Sequence, residues 1–256
     1  MGRILQTTDS FRVIKGRAGN SAIFGDSVYE ESADQLYDVG TVRQVEGRGH
    51  FVYAKNGAVA LVAGKAVQAP APTSYQLGQA IGTGTIGDKT ITWTVNASDA
   101  AWTANQYQGG YIMVDDDGST AGEQAYMYQI TGHAAAAAGA NVTLNLDRPL
   151  EKAIAADATG AIIKNPYDGV VLHSTTTNVV GVPQIAVTAS YYFWLQVDGI
   201  AACTADGTGV SANTVATFTA GVLDVRDADT EQAYAYPLHA IGANDSGFCK
   251  LHIGII

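Results

Sequence analysis

The sequence predicts an all-β protein: a β-sandwich or barrel-like main domain, an inserted smaller β module, and an extended N-terminal arm. Three observations carry that prediction. Glycine is abundant, with 29 in 256 residues, while only 15% of residues are charged, which suits short strands joined by small-residue turns. Apolar residues recur with period two in short runs from about residue 40 onward. The densest aromatic run, Tyr191-Tyr192-Phe193-Trp194-Leu195-Gln196-Val197, reads as the central strand. Tyr191, Phe193, Leu195 and Val197 share its apolar face, and Tyr192, Trp194, Gln196 and Asp198 share a mixed, partly covered one.

Taken in order, Met1 to about Ser27 has weak periodicity. Its basic residues Arg3, Arg12, Lys15 and Arg17 are interspersed with the isolated apolar residues Phe11, Val13, Ile23 and Phe24. It reads equally as an arm laid across a partner and as a poorly packed terminus. Val28 to Leu36 reads as a short helical turn or an acidic loop. Thr41 to Val45 and His50 to Ala54 are predicted strands around Glu46-Gly47-Arg48-Gly49. Asn56-Gly57 predicts a second tight turn, with Ala58 to Val62 left open between strand and short helix. Pro70 and Pro72 then define an extended linker.

A second module follows. Asp88 to Val95 alternates with Ile91, Trp93 and Val95 on one face. Tyr111 to Val114, Gln124 to Ile130 and Asn141 to Leu146 are further strands, and Ala134 to Ala138 is too short for a helix of its own. Ala161 to Lys164 closes the module and Asn165-Pro166-Tyr167-Asp168-Gly169 turns the chain back. After it, Gln184 to Thr188 is predicted to lead into the aromatic strand, and Asp198-Gly199 to turn it back as a hairpin through Ile200 to Thr204. Thr214 to Phe218, Gly221 to Val225, Ala233 to Ile241 and Phe248 to Ile256 complete the set. The predicted organisation is an arm at 1–27, a main domain at 28–72 and 168–256, and the module at 73–167. Its core residues are Phe51, Tyr53, Phe193, Trp194 and Leu195.

A formal net charge of −10 argues against a nucleic-acid-binding surface. No run approaches the ~20 apolar residues of a membrane span, and Met1 to Arg17 lacks the apolar run of a secretory signal. A soluble protein made in a reducing cytoplasm is expected, with no nucleic-acid or membrane partner. Cys203 and Cys249 read as buried small hydrophobes. Asp115-Asp116-Asp117-Gly118 with Glu123, and Asp224, Asp227, Asp229 and Glu231, read as solvated acidic loops, since neither has the alternating spacing of a calcium loop. His50, His133, His173, His239 and His252 show no metal-ligand spacing. No nucleophile elbow, P-loop or dinucleotide fingerprint is present. The expectation is therefore no enzyme, no metal and no cofactor.

The ordered blocks Gly49 to Ala54 and Ala60 to Gln68, Tyr107-Gln108-Gly109-Gly110-Tyr111, Asn165-Pro166-Tyr167-Asp168-Gly169-Val170, Gly181-Val182 and Tyr192 to Gly199 resemble tailed-bacteriophage virion structural proteins of the capsid decoration (cement) type. That resemblance implies a β-rich, homotrimeric knob bound to the major capsid protein on the outer capsid surface, made in the host cytoplasm. The arm residues Arg3, Phe11, Arg12, Val13, Lys15, Arg17, Ile23 and Phe24 would then be capsid-binding. Two readings compete with it: a tail, baseplate or carbohydrate-binding adhesion protein using exposed Tyr and Trp of the middle module, and a virion-associated hydrolase using a carboxylate pair.

Overall fold

The computed structural model describes residues 27–114, 126–174, 178–227 and 231–254. The arm residues up to 26, Asp115 to Gly118 with Glu123, Asp229, and the last two residues lie outside that set.

Among the described residues the regular secondary structure is nearly all strand. Its elements are β1 Glu31–Ser32, β2 Val42–Val45, β3 Gly49–Asn56, β4 Val67–Gln68, β5 Gln79–Ala80, β6 Thr90–Thr94, β7 Tyr111–Val114, β8 Tyr126–His133, β9 Asn141–Leu146, β10 Thr159–Ile163, β11 Asp168–Leu172, β12 Val179–Pro183, β13 Tyr192–Thr204, β14 Ala216–Thr219, β15 Val222–Val225, β16 Ala235–Pro237 and β17 Ser246–His252. A single 3₁₀ turn, Ser74–Gln76, precedes β5. Two compact units result: Met1–Ala69 with Tyr167–Ile256, and Pro70–Pro166.

In the main unit, β13, β12, β4, β11 and β3 pair in that order, and β3 pairs back onto β13 to close a five-stranded barrel. The β3–β11 pair is parallel and the others are antiparallel. Alternation along β3 and β13 sends Val52, Ala54, Phe193, Leu195 and Val197 to one core. It sends Phe51, Tyr53 and Trp194 to another, which Val28 completes. The face of Tyr192, Trp194 and Gln196 is therefore more than partly covered: Trp194 and Gln196 are 2% and 1% exposed. The segment before β2 and β2 itself close it, with the Tyr37 ring 5.3 Å from Trp194 and the guanidinium of Arg43, on β2, 5.5 Å from the same ring. Residues 28–36 form neither a helical turn nor a free loop. Glu31 and Ser32 pair with Phe193 and Tyr192, and the Glu31 carboxylate accepts from the Thr188 amide at 2.6 Å and hydroxyl at 2.8 Å.

The Asp198-Gly199 hairpin does not form. β13 runs through it for 13 residues, pairing with β3 before it and with β17 after it. The positive φ of Gly199, +95°, serves a bulge at which the strand changes partners. The strand expected at Gln184 to Thr188 is also displaced, to β12. Beyond Pro183 only Val187 bridges, to Leu61, while the Gln184 side chain accepts from the Ala202 amide at 2.9 Å. Asn56-Gly57 makes no tight turn, since neither residue has a positive φ. The Asn56 side-chain amide instead donates to the carbonyls of Val59 and Thr188, and the Gly57 amide donates to Val170 across the parallel pair. Residues 58–62 are neither strand nor helix. The last strand stops at His252, because Gly254 has φ +84° and breaks the extended conformation.

Beyond β13, the sheet continues through β17, β16, β14 and β15, and Ala205 bridges Leu223 on β15, so this part curls around its own core. Within Ala233 to Ile241 only β16 is strand, with one further bridge at Ile241.

In the second unit the order is β5-β10-β7-β8-β9-β6, and an Ile81–Trp93 bridge joins the two ends. The enclosed core contains Trp93, Trp102, Tyr107, Ile112, Tyr128, Ile130, Leu144 and Ile162. Ala134 to Ala138 is a loop in which Ala136 bridges Trp102.

Candidate functional site, an exposed apolar sheet face

The most conspicuous surface of the main unit is the outer face of β13, β17 and β16. β17 alternates cleanly: Gly247, Cys249 and Leu251 are buried, and Ser246, Phe248, Lys250 and His252 face out. Register places Ile200, Lys250 and Tyr236 in one cross-strand row. Ala202, Phe248 and Leu238 form the next, the last pair fixed by the Leu238 amide donating to the Phe248 carbonyl at 2.9 Å. Phe248, Ile200, Leu238 and Tyr236 are 60%, 51%, 50% and 40% exposed. Neighbouring strands lie ~4.8 Å apart, so four large apolar side chains are gathered within about 10–15 Å. Single exposed apolar residues are ordinary on a protein surface, whereas a contiguous group on a rigid sheet marks an interaction surface.

The face is held stiffly. His239 packs its ring edge against Phe248 at 6.1 Å, and its Nε2 accepts from the Phe248 amide at 3.1 Å. Its Nδ1 lies 2.8 Å from the Ala240 carbonyl, so Nδ1 carries the proton and donates there. Beneath the face lie the buried thiols of Cys203 and Cys249. A hydrogen bond with Cys249, then burial, push the Cys203 thiol well above its ordinary value, which keeps it protonated.

Sequence reading placed Phe248 at the start of a predicted strand, Phe248 to Ile256, and did not assign the face it turns to solvent. The signal was present, because Phe248 shares its parity with Lys250 and His252 and not with Cys249 and Leu251. A second surface group lies on the segment before β2. Tyr29 and Leu36 are 44% and 57% exposed, beside the exposed carboxylates Glu30 and Asp34. Neither carboxylate has an ion-pair partner among the described residues.

The proposed capsid-binding residues Arg3, Phe11, Arg12, Val13, Lys15, Arg17, Ile23 and Phe24 all lie outside the described residues. The five core residues are interior, with Phe51, Tyr53 and Trp194 in one cluster and Phe193 and Leu195 in another. Among the described residues, no group of three His, Cys, Asp or Glu side chains could hold a metal. His50 Nδ1 lies 3.2 Å from Asp198 Oδ2 at the β13 bulge, both about one-third exposed. The Asp227 amide donates to Glu231 Oε2 at 3.0 Å, which closes the second acidic loop on itself. In the second unit Trp93 and Trp102 are core residues, so neither offers a ring face to a sugar.

No family model matches the chain, and comparison with curated proteins and with solved structures finds no similar protein.

Proposed function

We propose that the protein is a structural virion component that decorates a tailed-phage capsid, binding the major capsid protein shell as an oligomeric knob on its outer surface. The observation that supports this reading is the apolar face of Ile200, Tyr236, Leu238 and Phe248, mounted on strands whose other side is a closed core. A decoration protein needs such rigid, outward-facing contact surface, and cyclic symmetry repeats each modest contact into high avidity. The shell anchor in this reading is the basic, apolar-studded arm before Ser27.

The test is co-sedimentation with particles that lack the native protein, using the full chain and a chain lacking residues 1–26. The deletion stops short of Val28, whose side chain belongs to the Trp194 cluster. Saturating decoration in many copies per particle by the full chain, and loss of binding by a folded truncated chain, is the expected outcome. Only a few copies per particle would favour a tail location, and undiminished binding by the truncated chain would move the anchor onto the β units.

A further inference from the structure

We infer that the β13–β17–β16 face is a self-association surface whose occupant is the Tyr29–Leu36 patch of a second copy. The two groups are complementary in charge and alike in apolar character. One has Lys250 between Ile200 and Tyr236, with His252 two residues further along the same face of β17. The other has Tyr29 and Leu36 beside the carboxylates Glu30 and Asp34, which outnumber the one cation there, the Arg48 guanidinium 5.0 Å over the Tyr29 ring. In a chain of net charge −10, most surfaces of two copies repel. An apolar face carrying a cation and no carboxylate in either of its two central rows is where a second copy gains attraction instead.

Both groups are fixed to the same strand. Glu31 pairs with Phe193 near the start of β13, and Phe248 pairs with Ala202 near its end. The acidic patch is held in place for the purpose: β1 is zipped onto β13, Glu31 is clamped to Thr188, and the Leu36 amide donates to the Tyr53 hydroxyl at 3.1 Å. Stable interfaces have an apolar centre with charged groups at the rim, and Phe248 is the natural centre here.

This inference concerns association of the protein with itself and stands whether or not a capsid is its partner. Its readout, mass in solution without particles, is separate from co-sedimentation. Sedimentation equilibrium of the full chain should give a defined oligomer, and Phe248→Glu should give monomer with an unchanged melting temperature. Lys250→Glu should weaken association by about tenfold or more. Adding Glu30→Lys and Asp34→Lys to the Lys250→Glu chain should recover it, which a folding defect cannot mimic. The inference is overturned if the full chain stays monomeric at about 100 μM, a concentration that reveals even micromolar contacts. It is equally overturned if Lys250→Glu associates like the parent, or if the charge exchange recovers nothing.

Discussion

Gly49 and Gly199 meet backbone to backbone where β3 passes β13. A Cβ on Gly199 would collide with the Arg48 carbonyl, and one on Gly49 with the Asp198 carbonyl. Both residues also hold positive φ, +113° at Gly49 and +95° at Gly199. The contact lets one long strand leave the barrel and run on beside β17 in the same sheet. Gly199→Ala or Gly49→Ala should each cost at least ~2–3 kcal/mol, combining backbone strain with a clash against main chain that has no room to retreat. Gly47 supplies the control, since it shares a positive φ of +73° but has open space around its would-be Cβ. Gly47→Ala should cost only ~1 kcal/mol. Denaturant midpoints measure all three, and equal costs would show that the close approach is unimportant.

Gln196 stabilises the same bulge from inside. Its side-chain amide donates toward the carbonyls of Arg48 at 3.0 Å, Asp198 at 3.2 Å and Ile200 at 3.0 Å, two N–H bonds shared among three acceptors. Gln196→Ala leaves those carbonyls without the donor and should cost ~1–3 kcal/mol. Gln196→Glu keeps the shape but sets an acceptor-only carboxylate against three carbonyls, so at neutral pH it should be worse than alanine. Its deficit should shrink in acid, where the protonated carboxyl can donate once. Chemical denaturation at two pH values separates these cases, and a glutamate variant as stable as wild type would remove Gln196 from this role.

These two sites also mark the limit of what the sequence makes legible. Local alternation is easy to read: Ile91 and Trp93 on β6 with Val95 just beyond its end, and Val142, Leu144 and Leu146 on β9, are buried as their spacing requires. The run from Phe193 to Val197 is likewise interior, with Tyr192 half-buried at its start. Asp198-Gly199 and Asn56-Gly57 have the composition of tight turns, yet each is governed by a segment far away in the chain: Arg48-Gly49 in the first case, Val187-Thr188 and Val170 in the second. A dipeptide reports which φ angles are cheap, and tertiary pairing decides whether a turn or a bulge uses them. The exposed face was half legible, because parity put Phe248 with Lys250. Its neighbours come from two other stretches, Ile200 from one and Tyr236 and Leu238 from the other, and only register unites them.

Tyr107 couples the stability of the second unit to high pH. It is fully buried, its ring packs tilted against Trp102 with centroids 4.2 Å apart, and its hydroxyl accepts from Gln76 Nε2 at 2.6 Å. Burial first, then the Asp99 carboxylate, push its phenol from the ordinary 10 up to about 12. Between those values the unfolded chain releases a proton that the folded chain keeps. The contribution is therefore complete below pH ~10 and lost as pH rises toward 12. Tyr107→Phe should be modestly less stable at pH 7, by ~1 kcal/mol for the lost hydrogen bond. It should also show a shallower fall above pH 10. Melting curves of both chains from pH 8 to 11 check this, and parallel pH profiles would contradict it.

The two thiols give the last prediction. Cys203 pairs with Gly247 and Ala201 with Cys249, so the cysteines lie diagonally on the same inner face of β13 and β17. Diagonal neighbours in an antiparallel pair are ~7–8 Å apart at Cα, beyond the ~4.4–6.8 Å that a disulfide usually spans, which accounts for two adjacent cysteines remaining free. Both are completely buried, and the Cys203 thiol is driven well above its ordinary range by the bond to Cys249 and by burial. Reaction with a thiol reagent requires an exposed thiolate, and the folded chain supplies neither exposure nor thiolate at Cys203. Native protein at pH 8 should therefore be unreactive, and both thiols should become available together as denaturant unfolds the main unit. The raised Cys203 value also has a definite sign. Unfolded thiols ionise near 8.5 while the folded one stays protonated, so stability should fall as pH rises beyond that point, and Cys203→Ala should remove part of the fall. A rapid native-state modification of either cysteine would place the β13–β17 pair at a mobile edge and not over a closed core.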